Sequence, residues 1–148
     1  MLEVISNTSC LIALANINKL DILRDVYGHI TVTNEVAVEF GEKLPDWIKI
    51  ASVKDTAKTK LISVMLDLGE ASSIALALEK SNSLLILDDG KARHFAKSLD
   101  IKLTGTLGIL VKASKAKIIP DLQSAFSALR QSGFYVSESI ENELLKLL

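Results

Sequence analysis

Four consecutive branched aliphatics, Leu84-Leu85-Ile86-Leu87, run straight into two carboxylates, Asp88 and Asp89, then Gly90 and the basic stretch Lys91-Ala92-Arg93-His94. A short aliphatic run without alternation, bounded by Asn82-Ser83 and Asp-Asp-Gly, predicts a strand buried on both faces, as strands of parallel sheets are. The acids then fall at the strand's carboxyl end, the edge where open α/β sheets bind ligands. Paired acids before a helix start at that edge point to a site for a cation or a proton.

The rest of the chain repeats the strand-then-helix alternation. Leu2 to Ser6 reads as a first strand, after which Thr8 or Ser9 can cap a helix through Ile12 and Ala15. A helix from about Lys19 to Val26 ends at Gly28, and the β-branched Ile30-Thr31-Val32 follows as a strand. Asn34 can cap a helix carrying Val36, Ala37, Val38 and Phe40, and Trp47 to Val53 alternates in the manner of an edge strand. Helices are predicted from about Ala57 to Leu66, from Gly69-Glu70 to Leu78, from Lys91 to Ser98, from Thr106 through Val111, from Pro120 to about Gln131 and from Ile140 to Leu148, with Ile101-Lys102-Leu103 as a further strand. This pattern predicts one α/β domain over residues 1–148, with a parallel sheet of four or five strands and helices on both faces in right-handed crossovers.

With 49% hydrophobic residues in 148, the chain can fill a single core unaided. Its longest apolar runs fall far short of the roughly 20 residues a membrane span needs, and Met1-Leu2-Glu3-Val4 does not open a signal peptide, so a cytoplasmic protein is expected. A lone cysteine, Cys10, excludes an internal disulfide and a Cys-clustered zinc site, and its apolar neighbours Leu11 and Ile12 mark it as a small core residue.

The net charge of −1 argues against a generic basic nucleic-acid binder, yet the charge is uneven. Residues 1–89 carry 8 Lys+Arg against 13 Asp+Glu, whereas residues 90–117 carry seven basic residues, among them Lys91, Arg93 and Lys97, against Asp100 alone. A solvated helix face accounts for such a run as well as a phosphate-contacting patch beside an acidic pocket does.

The polar residues at strand and helix ends have structural readings of their own. Asn7 suits an Asx turn or cap, Glu70 is favoured at a helix start by the dipole, and either Asp88 or Asp89 can cap the following helix. Spacing alone gives Glu39 no more than the role of an exposed helical glutamate. A second acid beside a capping one is harder to explain structurally. Carboxylates converging on one sheet edge repel unless a divalent cation neutralises them, and all-oxygen donors select Mg²⁺ or Mn²⁺ over zinc. Such ions beside basic residues suit phosphodiester hydrolysis.

The run ending in Asp-Asp also looks like a Walker B strand, but no G-x-x-x-x-G-K-[ST] occurs. A receiver domain is excluded because only about 60 residues follow the acids. Neither G-x-S-x-G nor G-x-G-x-x-G is present.

Taken in order, Val4 to Ile12, Val36-Ala37-Val38-Glu39, Gly69-Glu70-Ala71, Leu85 to Asp89 with Asp-Asp-x-x-Ala-Arg through Arg93, and Gly105-Thr106-Leu107-Gly108 resemble the PIN-domain superfamily of metal-dependent ribonucleases. The nearest likeness is to its small prokaryotic predicted nucleic-acid-binding branch, related to VapC-type toxins, over about residues 2 to 115. The resemblance implies a three-layer α/β/α sandwich and places the acidic quartet on Asn7, Glu39, Glu70 and Asp89, with Asp88 as the neighbouring candidate. Where the family usually has an aspartate, this chain has Asn7, which removes one negative charge. The implied activity is a Mg²⁺- or Mn²⁺-dependent endoribonuclease. Glu39, Glu70, Asp89 and Asn7 would be its metal ligands, and Thr8, Ser9, Lys91, Arg93 and His94 would contact RNA. A homodimer and an antitoxin protein are the implied partners besides RNA. The alternative is a binding module of the same fold that has lost catalysis with the aspartate.

Overall fold

The aliphatic runs do become strands, because β-branched and leucine side chains fit a pleated surface covered on both sides. The computed structural model describes residues 1–148. Its strands are β1 (Glu3–Ser6), β2 (Ile30–Thr33), β3 (Ile48–Ala51), β4 (Ser83–Ile86) and β5 (Lys102–Thr104). All pair in parallel, in the order β3-β2-β1-β4-β5. The strand expected at Trp47 to Val53 is the β3 edge, and its outward Ile50 is half exposed.

Nine helices connect and cover the sheet: α1 (Thr8–Asn16), α2 (Ile22–Tyr27), α3 (Asn34–Phe40), α4 (Thr56–Ile62), α5 (Leu68–Leu78), α6 (Gly90–Ser98), α7 (Thr106–Lys115), α8 (Leu122–Gln131) and α9 (Glu138–Leu145). Alternating strand residues feed two cores. Val4, Ile30, Val32 and Ile86 pack with Leu11 and Leu14 of α1, Leu23 of α2, Ile109 and Leu110 of α7 and Phe126 of α8. Ile5, Leu85 and Leu87 pack on the other face with Ile62 of α4, Ile74 and Ala75 of α5, and Ala92 and Ala96 of α6. The result is a three-layer α/β/α sandwich with Cys10 fully buried.

The predicted helix starts shift by a residue or two. Asn7, not Thr8 or Ser9, caps α1, and Thr33, not Asn34, caps α3. Gly105 precedes Thr106 as the cap of α7, and α8 begins at Leu122 under Asp121 instead of at Pro120. In the first three the chain leaves a strand directly into a helix, so the residue at the strand's end or just past it takes the cap position.

The chain builds outward from β1 to β2 and β3, then crosses through α4 and α5 to lay β4 on the other side of β1. The carboxyl ends of β1 and β4 therefore flank the switch point where open sheets leave a crevice. Asn7 follows one of them and Asp88 and Asp89 the other, tied by a bond from Asn7 N–H to the Ile86 carbonyl at 3.1 Å. No helix is long and apolar enough to cross a membrane.

Candidate functional site

Each residue at this edge carries a structural task, and what remains after that task is what chemistry can use. Asn7 is 1% exposed and its Oδ1 accepts from Cys10 N–H at 3.2 Å, closing the first turn of α1. Its Nδ2 is buried with no hydrogen-bond partner. An orphaned buried donor is costly, so a free N–H at the switch point is a group in want of an acceptor.

Thr8, one residue on, donates its hydroxyl to Glu39 Oε1 at 3.0 Å. Glu39 stands in the last turn of α3, reaching the β1 edge from a neighbouring element. Gly69 makes room for it, since a Cβ at Gly69 would lie 1.8 Å from Glu39 Oε1 and 3.2 Å from Thr8 Oγ1. The glycine before Glu70 thus seats the Glu39 carboxylate against α5.

Glu70 lies in the first turn of α5, whose cap Asp67 accepts from the Glu70 N–H at 2.9 Å. Asp67-x-x-Glu70 has the spacing of a capping box, a local signal that sequence reading overlooked. Burial, then the charges of Asp67 and Asp89, push the Glu70 carboxyl up to about 7. Asp89, the cap of α6, is thus one of the charges acting on Glu70.

The two aspartates divide their work. Asp89 caps α6, its Oδ2 accepting from Ala92 N–H at 2.9 Å, and is otherwise exposed. Asp88 turns the other way, with Oδ1 accepting from Thr106 N–H at 2.8 Å and Oδ2 from Thr106 Oγ1 at 2.6 Å. It caps α7 in place of Gly105, which has no side chain to do so. A Cβ on Gly105 would approach Asp88 Oδ1 to 2.9 Å. Thr106, which sequence marks only as a cap candidate and part of the Gly-Thr-Leu-Gly element, is thus the partner of Asp88 across 18 residues.

The basic residues separate. Arg93 donates from Nη1 to the Leu87 carbonyl at 2.7 Å, while Lys91 and His94 are exposed on the first turns of α6. Lys97 ends α6, and Lys112 and Lys115 end α7. At 1.5 Å per residue these three lysines lie roughly 9–14 Å along their helices from the acidic edge, and Lys112 sits 4.8 Å over the Tyr27 ring. The basic run in the sequence is therefore not one patch: Lys91, Arg93 and His94 stay near the site. Ser9 is exposed on α1 beside Thr8.

No Lys or Arg lies within ion-pair distance of Glu39, Glu70, Asp88 or Asp89; the chain's ion pairs involve Arg24 and Arg130 alone. In donor chemistry this set fits a hard divalent cation. In position, no three Asp, Glu, His or Cys side chains converge on one point; Glu39 is bonded to Thr8, Asp88 to Thr106 and Asp89 to the α6 N-terminus.

A parallel α/β/α sandwich with acids at its switch point defines the class of fold. A family model described as a PIN domain matches residues 3–148, and the chain belongs to the PIN-domain superfamily. No curated protein and no solved structure matches it. The PIN fold is nuclease-like, and PIN domains generally use divalent metal ions.

Proposed function

We propose that this chain is a Mg²⁺- or Mn²⁺-dependent endoribonuclease acting at the carboxyl ends of β1 and β4. One observation carries the reading: Glu39, Glu70 and Asp89 stand at one sheet edge with no basic side chain to compensate them. Glu70, already pushed up by burial and by Asp67 and Asp89, is the group that gains most from a cation.

Glu70 and Asp89 would hold the ion, with Glu39, steadied by Thr8 at Oε1, as a third ligand through its other carboxylate oxygen. When bound, Mg²⁺ or Mn²⁺ acidifies a water and offsets the charge that develops on the phosphate. The chain's own residues do the rest. Thr8 keeps the Glu39 carboxylate at the edge, and Lys91 and His94 meet the backbone phosphates on either side of the cleaved bond. Asn7 offers its free N–H to a phosphate or water oxygen, or ligates through the remaining lone pair of Oδ1.

The test is incubation of the purified protein with end-labelled single-stranded RNA and Mn²⁺ or Mg²⁺. Internal cleavage is expected, abolished by EDTA and by Glu70→Gln. A wild type silent with every divalent ion overturns the proposal.

The second reading is a non-catalytic RNA- or protein-binding module, favoured by the fact that Asn7 presents a donor where an acidic ligand would serve a metal better. It predicts binding indifferent to metal and a gain of cleavage in Asn7→Asp. The setting we propose is that of a toxin restrained by an antitoxin protein, acting as a homodimer; co-purification and sedimentation test those partners.

A further inference from the structure

Beside the acidic edge lies a cleft of about 520 Å³ whose lining includes Asp88 and Arg93 together with Phe134, Tyr135, Ile140 and Leu144. That volume is within the range of small-ligand sites. Arg93 spends one N–H on the Leu87 carbonyl and has no carboxylate within ion-pair distance, so the rest of its guanidinium is free. The aromatic and aliphatic lining has Tyr135, at 81%, as its most exposed member.

Tyr135 is exposed on a segment whose neighbouring residues are hydrogen-bonded to α8. Phe134 N–H returns to the Leu129 carbonyl at 3.0 Å, Gly133 takes φ +100° to allow the turn, and the Val136 carbonyl accepts from Arg130 Nε at 3.0 Å. The same Arg130 fixes α9, with Nη1 bonded to Glu141 Oε1 at 3.2 Å and Nη2 at 3.1 Å from Oε2, an electrostatic contact not aligned as a hydrogen bond. An aromatic ring that packs against little, yet is carried on a pinned loop, is preorganised for an outside partner.

A guanidinium and an exposed aromatic ring lining one cleft match the two halves of a nucleotide. The geometry points to a base-binding subsite: one unpaired base of single-stranded RNA stacks on Tyr135 between α7 and α9, and its phosphate meets Arg93 beside Asp88. This rests on the proposed ribonuclease reading, and it assigns the substrate's single-stranded character to residues outside the acidic set. Stacking is tolerant of sequence because every base has a π face.

The experiment compares two short labelled oligomers of equal length and phosphate number, one of single-stranded RNA and one of abasic ribose phosphate. Binding is followed by fluorescence anisotropy in EDTA, where turnover does not enter. Wild type is expected to prefer the base-bearing oligomer by roughly 5- to 150-fold. Tyr135→Ala should bring that ratio close to one, Tyr135→Phe should restore it, and Arg93→Met should weaken both oligomers alike. A wild-type ratio near one, as for a groove built to take a protein, or a ratio unmoved by Tyr135→Ala, overturns the subsite. Because the readout is binding without metal, a failure of cleavage alone leaves it standing, and a flat ratio in a protein that cleaves RNA removes the subsite alone.

Discussion

Asp88 caps a helix that begins 18 residues after it: both of its carboxylate oxygens are bonded to Thr106, at 2.8 Å to the backbone N–H and 2.6 Å to the hydroxyl. The bond pair fastens the end of β4 to the start of α7 and commits both Asp88 oxygens to that brace. Asp88→Ala should therefore act on the fold, costing about 1–3 kcal/mol from the lost cap and the unpaired Thr106 groups. Urea denaturation reads the loss. An Asp88→Ala protein with wild-type stability would contradict the bracing role.

Asp89 should behave in the opposite sense. Asparagine caps helices about as well as aspartate, so Asp89→Asn keeps the bond to Ala92 N–H while removing the charge felt by Glu70. Stability is expected within about 0.5 kcal/mol of wild type and RNA cleavage lower by about 100-fold or more. Equal cleavage by the two proteins would remove Asp89 from the site.

Gly69→Ala tests whether Glu39 has to stand where it does. The new Cβ displaces only the far end of a flexible side chain, and alanine gains about 0.5–1 kcal/mol over glycine in a helix, so the fold should hold. Glu39 must leave Thr8. Activity is expected to fall as far as in Glu39→Ala, with no further loss in the double variant. Additive losses would mean that the glycine and the glutamate serve separate ends.

How much of this was readable beforehand follows from the range of each interaction. The β4 strand, the Asp89 cap and the alternation that sets the parallel sheet are local, and periodicity and composition reveal them. The partner of Asp88 is 18 residues away and that of Glu39 is 31 away, at Thr8, so neither leaves a trace at helical or strand spacing. Caps were misplaced by a residue where two capping types adjoin, as at Thr33-Asn34, because only the end of β2 decides which is first. The basic run has a related cause: its residues fall in one stretch of sequence but lie at both ends of α6, on β5 and at the far end of α7.

Glu70 gives a pH signature. Its carboxyl is raised from 4.5 to about 7 by burial and then by Asp67 and Asp89, so the folded protein holds a proton that the unfolded chain has released. The contribution to stability is complete below pH 4.5 and is lost as pH rises through about 7. In metal-free buffer the urea midpoint should fall over that window, and Glu70→Gln should flatten the slope. An unchanged slope in the variant would place the titration elsewhere.

Asn7→Asp puts the missing charge back where the amide now hides an unpaired N–H. With Oδ1 still capping α1, the second oxygen becomes an anion at a position 1% exposed, close to acids that no basic side chain offsets. Burying an uncompensated carboxylate is unfavourable, so in EDTA the variant should be less stable than wild type by about 1–3 kcal/mol. A divalent ion at the edge reverses the balance. A ligand that binds only the native state stabilises by mass action, so Mn²⁺ should raise the melting temperature of Asn7→Asp by more than it raises that of wild type. The same substitution separates the two functional readings: a silent wild type that begins to cleave RNA as Asn7→Asp is a module one charge short of a nuclease, whereas an active wild type little changed by it uses the amide as it stands. A variant indifferent to Mn²⁺ in both stability and cleavage would show that no ion sits beside residue 7.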